Sequence, residues 1–300
     1  MSVYTKIKVL YEAICGYFDK WSMDCRGHKY LPSLHHNINT TGNVVVSLTS
    51  YGRRVSNSVV YYTLVSILRQ DRLPDRLILW LDRDHWNDNN IPQKLKVLRD
   101  HHGVEIMFCE EIRSYKKLIP TLSLCPDDIV ITVDDDIIYH RSLIRTMLER
   151  YQDHKGQIVS FQCVKPLVDN KGQIKRYRQW ERSEDGSSGL LIFPIGYNAV
   201  LYPPYSLHND VFDKDVFQSI CPYADDVWFW LQAVRQGTLH HCIVDKEILN
   251  YSFDALYQFM HKGSALMHRN VSEQGNVKQL EACLKYFGMT NDFIKEGSVK

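Results

Sequence analysis

The sequence lacks the features that mark several classes of protein. Its eight cysteines are scattered and no two form a C-x-x-C pair, so we expect neither a zinc knot nor a dithiol redox motif. No apolar run reaches the roughly 18 residues that a membrane-spanning helix needs. Internal repeats and low-complexity segments are also missing from the sequence, which argues against solenoid and fibrous architectures.

Charge of one sign and a leader segment are lacking as well. The 36 Lys and Arg residues against 35 Asp and Glu give a formal net charge of +1, so no global field attracts nucleic acid. The first residues do not show the charged start, apolar core and small-residue cleavage site of a signal peptide. Scattered cysteines are typical of a reducing compartment. We therefore expect a cytoplasmic protein without a nucleic-acid partner, and peripheral contact with the inner face of the membrane stays open.

The length of 300 residues fits one large α/β domain with appendages. We divide the chain into an N-terminal extension at 1–43, a main domain at 44–276, and a C-terminal helix and tail at 277–300. Apolar residues recur in the extension at helical spacing, at Ile7, Leu10, Tyr11, Ile14 and Phe18. This pattern predicts either a helix packed on the main domain or a helix that binds a membrane surface or a partner.

Strands and helices alternate in the first half of the main domain. Nearly continuous apolar runs predict strands covered on both faces, at 44–48, 77–82, 104–108 and 129–133. Helix signals lie between them: a cap at Asn57, a first-turn proline at Pro92, and a start near Ser114 with Pro120 as its limit. This alternation predicts a parallel sheet with right-handed crossovers. The second half is less regular, with further strands expected at 157–162 and 240–245.

Three consecutive carboxylates, Asp134, Asp135 and Asp136, follow the fourth predicted strand in "ITVDDDIIYH". Because alternate side chains of an extended chain share a face, we expect Asp134 and Asp136 to point together. Two carboxylates about 4 Å apart repel by about 4 kcal/mol at a surface-like dielectric. A hard divalent cation, Mn²⁺ or Mg²⁺, removes that cost and prefers oxygen ligands. The structural alternative is an acidic turn that caps the next helix.

A second acidic pair, Asp225 and Asp226 in "CPYADDVWFWL", opens a predicted helix. With "VVVSLTSYGRR", "LILWLD" and "PDDIVITVDDDI", these motifs resemble the GT-A glycosyltransferases that use nucleotide sugars, in particular bacterial members that build capsule and O-antigen polysaccharide. The resemblance covers residues 44–250. It implies an α/β fold with a Rossmann-like, mixed and mainly parallel sheet flanked by helices. It also implies a single domain with an N-terminal helical extension.

The resemblance implies a metal site on a D-x-D motif, here Asp134-Asp135-Asp136. Asp136, with Asp134, would bind the metal and the ribose of the donor, whereas Asp135 would hold either the nucleotide sugar or the backbone turn. A histidine from a late loop often completes the site in this family. His268 is the first candidate for that ligand and His261 the second.

The resemblance also implies that Asp225 or Asp226 is the catalytic base of an inverting enzyme. One of the two is expected to cap the helix, and the other is then free to accept a proton from the acceptor hydroxyl. A helix N-terminus stabilises an anion by about 0.3–1 kcal/mol, which favours an ionised carboxylate near neutral pH. We slightly prefer Asp225 as the base. In a retaining enzyme the same aspartate would bind the acceptor instead.

Further candidates surround the acidic motifs. In this family the loop after the first strand borders the nucleotide, and here that loop carries Thr49, Tyr51 and Arg53, with Arg54 as the alternative to Arg53. A carboxylate after the second strand reads the base in the family, and Asp82 is the residue at that place. A basic segment precedes the fourth strand and either approaches the diphosphate or forms a solvated charged face; it carries Arg113, Lys116 and Lys117. Asp82 can equally be a strand-end cap.

Glycine and aromatic residues add candidates for the two sugars. Gly196 would allow the backbone to approach the donor sugar closely. Trp180 and Trp228 would offer ring faces on which an acceptor sugar stacks. The glycine- and serine-bearing loop at 183–189 would close over bound donor as a lid.

We therefore predict a metal-dependent glycosyltransferase that moves a sugar from a nucleotide diphosphate sugar to a hydroxyl of a glycan or lipid-linked oligosaccharide. Among such donors we expect a UDP sugar first. A metal-dependent nucleotidyltransferase is a second reading, but it needs a glycine- and basic-rich loop after the first strand, where "LTSYGRRVSN" has only Gly52. A non-catalytic glycan-binding protein is a third reading, and the two intact acidic motifs argue against it.

Overall fold

The computed structural model describes residues 3–34, 42–245, 248, 251–253 and 275–296. The first half of the chain alternates strands and helices at the places that apolar patterning predicts. Its elements are α1 (Val3–Arg26), β1 (Val44–Thr49), α2 (Gly52–Ser56), α3 (Val59–Leu68), β2 (Arg76–Asp82), α4 (Gln93–His102), β3 (Val104–Cys109), α5 (Ile119–Leu124) and β4 (Ile129–Thr132).

The second half adds shorter strands between longer helices. Its elements are β5 (Ile137–Ile138), α6 (Leu143–Asp153), β6 (Ile158–Phe161), β7 (Cys163–Lys165), β8 (Glu181–Arg182), β9 (Ser188–Gly189), β10 (Phe193–Pro194), β11 (Val200–Tyr202), α7 (Lys214–Ile220), α8 (Asp225–Gln236), β12 (His240–Ile243), β13 (Tyr251–Ser252), α9 (Gly275–Tyr286) and α10 (Asp292–Glu296). Short 3₁₀ turns lie at Arg113–Lys117, Tyr177–Gln179, Gly196–Asn198 and Asn209–Phe212.

In the part of the chain that the structure describes, eight strands form one sheet in the order β3-β2-β1-β4-β11-β6-β12-β9. The neighbours from β3 to β4 are parallel, as are β6 and β12. Strand β11 runs antiparallel to β4 and β6, and β9 runs antiparallel to β12. The predicted α/β class, with a mixed and mainly parallel sheet flanked by helices in one domain, is confirmed. Because β1, β2 and β4 are parallel, their carboxyl ends meet at one edge, called here the site edge.

Apolar cores cover both faces of the sheet. Adjacent residues of β4, Val130 and Ile131, point into different clusters, as the alternation of side chains along a strand requires. One cluster packs under α3, α4 and α6, and the other packs under α7, α8 and α9. Leu280 of α9 and Ile294 of α10 are fully buried in the second cluster, so both helices pack on the main domain.

The predicted roles of Asn57 and Pro120 at helix ends are wrong. Asn57 does not cap α3; it is the C-cap of α2, and Ser58 with φ 54° precedes α3. Pro120 does not limit a helix but lies in the first turn of α5. The missing N–H of a proline is harmless there, because first-turn N–H groups have no partner inside the helix.

Helix α1 packs on the outside of α3 and β13. Met23 is buried, and Asp24 accepts hydrogen bonds from Tyr62 on α3 at 2.9 Å and from Lys94 on α4 at 2.8 Å. The expectation of a helix packed on the main domain is therefore confirmed for this side of α1. Among the described helices, none has the length and apolar character needed to cross a bilayer.

Candidate active site

Both acidic motifs lie at the site edge. The acidic turn, defined as residues 134–136, begins two residues after the end of β4, and residues 135–136 form a turn before β5. The acidic helix start, defined as residues 225–226, forms the first turn of α8. Lys117, from the 3₁₀ turn that precedes α5, contacts both motifs. Three segments that are distant in sequence therefore form one charged cluster.

Arg54 of α2 binds two of the three carboxylates in the acidic turn. Its guanidinium donates to Asp135 and, at 3.1 Å, to Oδ2 of Asp136. Ser50 donates to Oδ2 of Asp135 at 2.5 Å, and Ser252 donates to Oδ2 of Asp136 at 3.2 Å. The expected pairing of Asp134 with Asp136 on one face is wrong, because the backbone turns after β4 and alternation holds only in an extended chain.

Lys117 links the acidic turn to the acidic helix start. Its Nζ lies 3.3 Å from Oδ1 of Asp134 and 3.2 Å from Oδ2 of Asp225. Burial alone would lower the pKa of Lys117, but the charges of Asp225, Asp134 and Asp226 raise it well above its usual value. The lysine is therefore charged even though the residue is only 7% exposed.

The acidic helix start does not cap α8. The N-cap is Ala224, and neither aspartate side chain forms a cap hydrogen bond, so the predicted cap is wrong. Both oxygens of Asp225 are engaged instead, Oδ1 with Ser114 at 2.8 Å and Oδ2 with Lys117. The Asp225 side chain therefore forms a tertiary ion pair and a hydrogen bond with a serine hydroxyl instead of an N-cap hydrogen bond to its own helix.

Asp226 is half-buried and titrates near neutral pH. Burial raises the pKa of Asp226 to about 7, and the charges of Asp225 and Asp134 add to the rise. Lys117 and the N–H of Gly196, which donates to Oδ2 at 3.2 Å, offset only part of this effect. The expectation that a helix N-terminus keeps this carboxylate ionised is corrected, because burial outweighs the helix dipole.

Gly196 lies against Asp226, where a side chain would not fit. A Cβ atom at this position would stand 2.4 Å from Oδ1 of Asp226, which is far inside van der Waals contact. We expected this glycine to let the backbone approach the donor sugar. In the structure the group that approaches Gly196 closely is instead the carboxylate of Asp226. The glycine therefore sets the position of the Asp226 carboxylate.

Asp82 and Lys116 form a second buried charge pair at the end of β2. Asp82 accepts hydrogen bonds from the backbone N–H of His85 at 3.0 Å and from its ring at 2.5 Å. Lys116 donates to Glu111 and lies 4.0 Å from Asp82. Burial alone would raise the pKa of Asp82, but the His85 hydrogen bonds and the Lys116 charge hold it below its usual value. An ionised acceptor therefore stands at the end of this strand.

The remaining cations and the β1 loop differ in exposure. Lys116 and Lys117 are buried, so the alternative of a solvated charged face is wrong for both. Arg113 is exposed, and its guanidinium lies 4.6 Å from the ring centre of Tyr223.

After β1, Tyr51 is 52% exposed and Arg53 is half-buried. Thr49 donates to the carbonyl of Trp80 at 2.9 Å, which joins β1 to β2.

The two tryptophans proposed for the acceptor are core residues. Trp180 is 6% exposed and its indole donates to the carbonyl of Lys175 at 2.9 Å. Trp228 is 0% exposed, and its indole donates to the carbonyl of Val211 at 3.2 Å. This corrects the expectation that they stack on a sugar, because neither ring presents a face to solvent. His261 and His268 lie outside the described residues.

The donor set of the cluster fits a hard divalent cation. The two motifs supply five carboxylates against the two cations Arg54 and Lys117, an excess of three negative charges when all are ionised. The side chain of Asp134 is the most exposed of the acidic turn, at 33%. In the described ranges, no three ligating side chains converge on one point. A Mg²⁺ or Mn²⁺ ion bound through one or two carboxylates and substrate phosphates is compatible with this arrangement.

Several site residues could not be recognised in the sequence. Ser252 is 116 positions from Asp136, and Ser114 is 111 positions from Asp225. Serine is common, and although Ser114 lies in the predicted helix start, no pattern in the sequence marks either serine as a contact of the acidic motifs. Arg54 was the alternative to Arg53 in the loop after β1, and its basic dipeptide was the available signal.

Solved structures with similar folds have low sequence identity to this chain. CMP:2-keto-3-deoxy-manno-octonic acid synthetase complexed with CTP has a TM-score of 0.42 and 10% identity over 74% of this chain and 98% of that one. Inositol-1-phosphate CTP transferase from T. maritima has a TM-score of 0.42 and 16% identity, with coverage of 74% and 97%. S. aureus TarS 1–349 has a TM-score of 0.46 and 14% identity, with coverage of 76% and 66%.

These scores carry no information about substrate or reaction. No protein-family model matches the sequence, and no curated protein matches it.

Proposed function

We propose that the protein is a metal-dependent glycosyltransferase that moves a sugar from a nucleoside diphosphate sugar to a hydroxyl of a glycan or lipid-linked oligosaccharide. The donor that we expect first is a UDP sugar. The observation that carries the proposal is the carboxyl of Asp226, with a pKa of about 7, held next to the acidic turn at the site edge. A group that titrates near working pH is suited to proton transfer. Ligands of open α/β sheets bind at the carboxyl ends of the strands.

Asp226 is the better candidate for the base, which reverses our initial slight preference for Asp225. Asp225 is tied to Ser114 through Oδ1 and to Lys117 through Oδ2, so both of its oxygens already have partners inside the protein. Asp226 accepts its hydrogen bond from an uncharged backbone N–H and has a raised pKa. We assign Asp225 a positioning role, in which it holds the Lys117 ammonium between the two motifs.

The proposed reaction is a displacement at the anomeric carbon of the donor. Asp226 accepts the proton of the acceptor hydroxyl while the acceptor oxygen forms its bond to that carbon. The bond between the carbon and the diphosphate oxygen breaks, and its electron pair leaves on the nucleoside diphosphate. One displacement of this kind inverts the configuration of the sugar.

Cations at the site edge support the proposal, because positive charge there would stabilise the departing diphosphate. Arg54 holds positive charge at Asp135 and Asp136, and Lys117 holds it at Asp134. Charge that is already in place costs no reorganisation during the reaction. A divalent cation, when bound through the acidic turn, where Asp134 is the most exposed carboxylate, would neutralise diphosphate charge as a Lewis acid. Tyr51 and Arg53 border the same edge, and Asp82 is an ionised acceptor for an N–H of the base.

The test is a panel of nucleoside diphosphate sugars incubated with the full chain and Mn²⁺, with and without simple glycan acceptors. We expect one donor to release nucleoside diphosphate slowly without acceptor and faster with it. Release of pyrophosphate from a nucleoside triphosphate and a sugar phosphate would instead identify a nucleotidyltransferase. Thermal stabilisation by a donor that is never turned over would identify a binding protein.

A further inference from the structure

Helix α1 turns an apolar face toward solvent. Six large apolar residues form this α1 stripe, and each is between 49% and 69% exposed: Leu10, Tyr11, Ile14, Tyr17, Phe18 and Trp21. Their spacing of three, four and seven residues places them along one side of the helix. A helix on a globular domain normally turns such a stripe inward, so this stripe needs another partner.

The opposite side of α1 makes the contact with the domain. Gly16 lies so close to Phe253 that a Cβ would stand 2.6 Å from the Cβ of Phe253. Lys20 lies over the rings of Tyr62 and Phe253, at 5.0 and 5.6 Å from their centres. The orientation of α1 is thus determined by close packing and a cation–π contact on its inner side. The α1 stripe is exposed as a consequence of this orientation.

The composition of the α1 stripe matches a membrane interface. Tyr11, Tyr17 and Trp21 have rings with an apolar body and a polar tip, the type of side chain enriched where lipid headgroups meet acyl chains. Two acidic side chains of α1 that the structure describes lie off the stripe: Asp24 pairs with Lys94, and Asp19 is partly buried near Arg69. An amphipathic helix with aromatic residues on one face lies in the plane of the interface.

An arginine cleft lies at the C-terminal end of α1. This open cleft of about 580 Å³ is lined by Arg26, Arg69 and Arg141 together with Tyr30, which is 86% exposed. Its lining, as far as the structure describes the chain, contains no carboxylate. Arg26 and Arg69 line the same cleft. Burial and the charge of Arg26 lower the pKa of Arg69, and the nearby groups Tyr61 and Asp19 offset part of this effect. Planar guanidinium groups bind phosphate oxygens in pairs.

We propose that α1 docks the protein on an anionic lipid bilayer, with the α1 stripe in the interface and the arginine cleft on lipid phosphates. Charge complementarity favours a bilayer over a second copy of the chain. A second copy would bring the same arginines and offers no excess of negative charge for them in this region, whereas anionic headgroups supply it. The proposal does not rest on the glycosyltransferase assignment, because none of its residues belongs to the charged cluster at the site edge.

The test is flotation of the full chain with vesicles of phosphatidylcholine, with and without about a third of phosphatidylglycerol. We expect binding to the anionic vesicles and much weaker binding to the neutral ones. The double substitution Phe18→Ser and Trp21→Ser should weaken binding to anionic vesicles by at least tenfold, on the order expected for two rings withdrawn from the interface. Tyr286→Ser is the matched control, because Tyr286 is an exposed ring on another helix, at 55% exposure.

The arginine cleft is tested separately by Arg26→Gln, Arg69→Gln and Arg141→Gln. Each substitution should weaken binding to anionic vesicles by about fivefold and leave binding to neutral vesicles unchanged. Trp21→Phe should float like the parent chain but lose the quenching of tryptophan fluorescence by brominated lipids. A parent chain that does not float, or floats equally well after the α1 substitutions, would contradict the proposal. A dimer that the same substitutions dissociate would also overturn it, in favour of a second copy.

Discussion

The site edge and α1 depart in opposite ways from the usual distribution of polar and apolar residues. At the site edge, charges are buried: Asp135, Asp136 and Lys117 are each less than 8% exposed. On α1, rings are exposed, and Trp21 and Phe18 are each about 60% accessible. Ordinary stability favours neither arrangement. The comparison teaches that burial alone explains neither region, and our two proposals supply a partner for each: a charged ligand at the site edge and an apolar surface at α1.

Asp226→Asn should have the largest effect and tests whether the buried charges serve chemistry. Asparagine keeps the shape and accepts no proton, so we expect kcat to fall by a factor of about 10² to 10⁴ while donor binding is retained. Asp215→Asn, an exposed aspartate in the first turn of α7, is the matched control and should leave kcat unchanged. Equal kcat for the parent and Asp226→Asn would remove the base assignment.

Lys117→Met should have the next largest effect and removes the cation that joins the two motifs. It leaves the carboxylates of Asp134 and Asp225 without their shared ammonium, and we expect a loss of about 3 kcal/mol in the free energy of unfolding. This value is toward the lower end of the range because Asp134 is one-third exposed and water screens its charge. Urea unfolding measures it, with Lys278→Met on the exposed side of α9 as control. A loss no greater than that of the control would mean that the bridge is not a stabilising contact.

Gly196→Ala tests the close approach to Asp226. The added methyl group would stand 2.4 Å from a carboxylate oxygen, so we expect the free energy of unfolding to fall by about 2 kcal/mol. In an Asp226→Ala background the clash is absent, and the same glycine substitution should cost much less. A double-mutant cycle from thermal or urea unfolding measures this difference. Additive effects would show that the clash is relieved elsewhere.

The pH dependence of stability should report the half-buried Asp226 directly. Its folded pKa of about 7 lies above the unfolded value of about 3.9, so the folded state binds this proton more tightly. The stabilising effect is fully present below about pH 4 and is lost as pH rises through about 7, with a slope of up to about 1.4 kcal/mol per pH unit. Unfolding of the parent and of Asp226→Asn, compared near pH 5 and pH 7, isolates this group. A parallel pH dependence in both proteins would contradict the raised pKa.

Trp21→Ser should have the smallest effect on stability and completes the comparison. Because the ring is 59% exposed, its removal should change the free energy of unfolding by no more than about 0.5 kcal/mol. Chemical unfolding of this variant beside the parent chain gives the measurement. A much larger loss would mean that the ring packs on the chain and that α1 does not present a free face.

Local patterning was sufficient for most of the fold. The apolar runs before Thr49, Asp82 and Thr132 are strands because a continuous β-rich segment of this length is stable only when covered on both faces. The same alternation with helices determined the parallel order of the first strands. The exceptions were turns and caps, such as Ser58 and residues 135–136. The backbone conformation at these places depends on contacts with segments that are distant in sequence.

The sequence by itself determined that carboxylates would gather at one edge of the sheet, because parallel strands must end together. It also determined that α1 is an amphipathic helix, because periodicity is a local property. Only the tertiary structure decided that Lys117 joins Asp134 to Asp225, that Asp226 is the group with a pKa of about 7, and that α1 faces outward. Burial and the electrostatic potential at a residue depend on segments more than 100 positions away, and no local pattern encodes them.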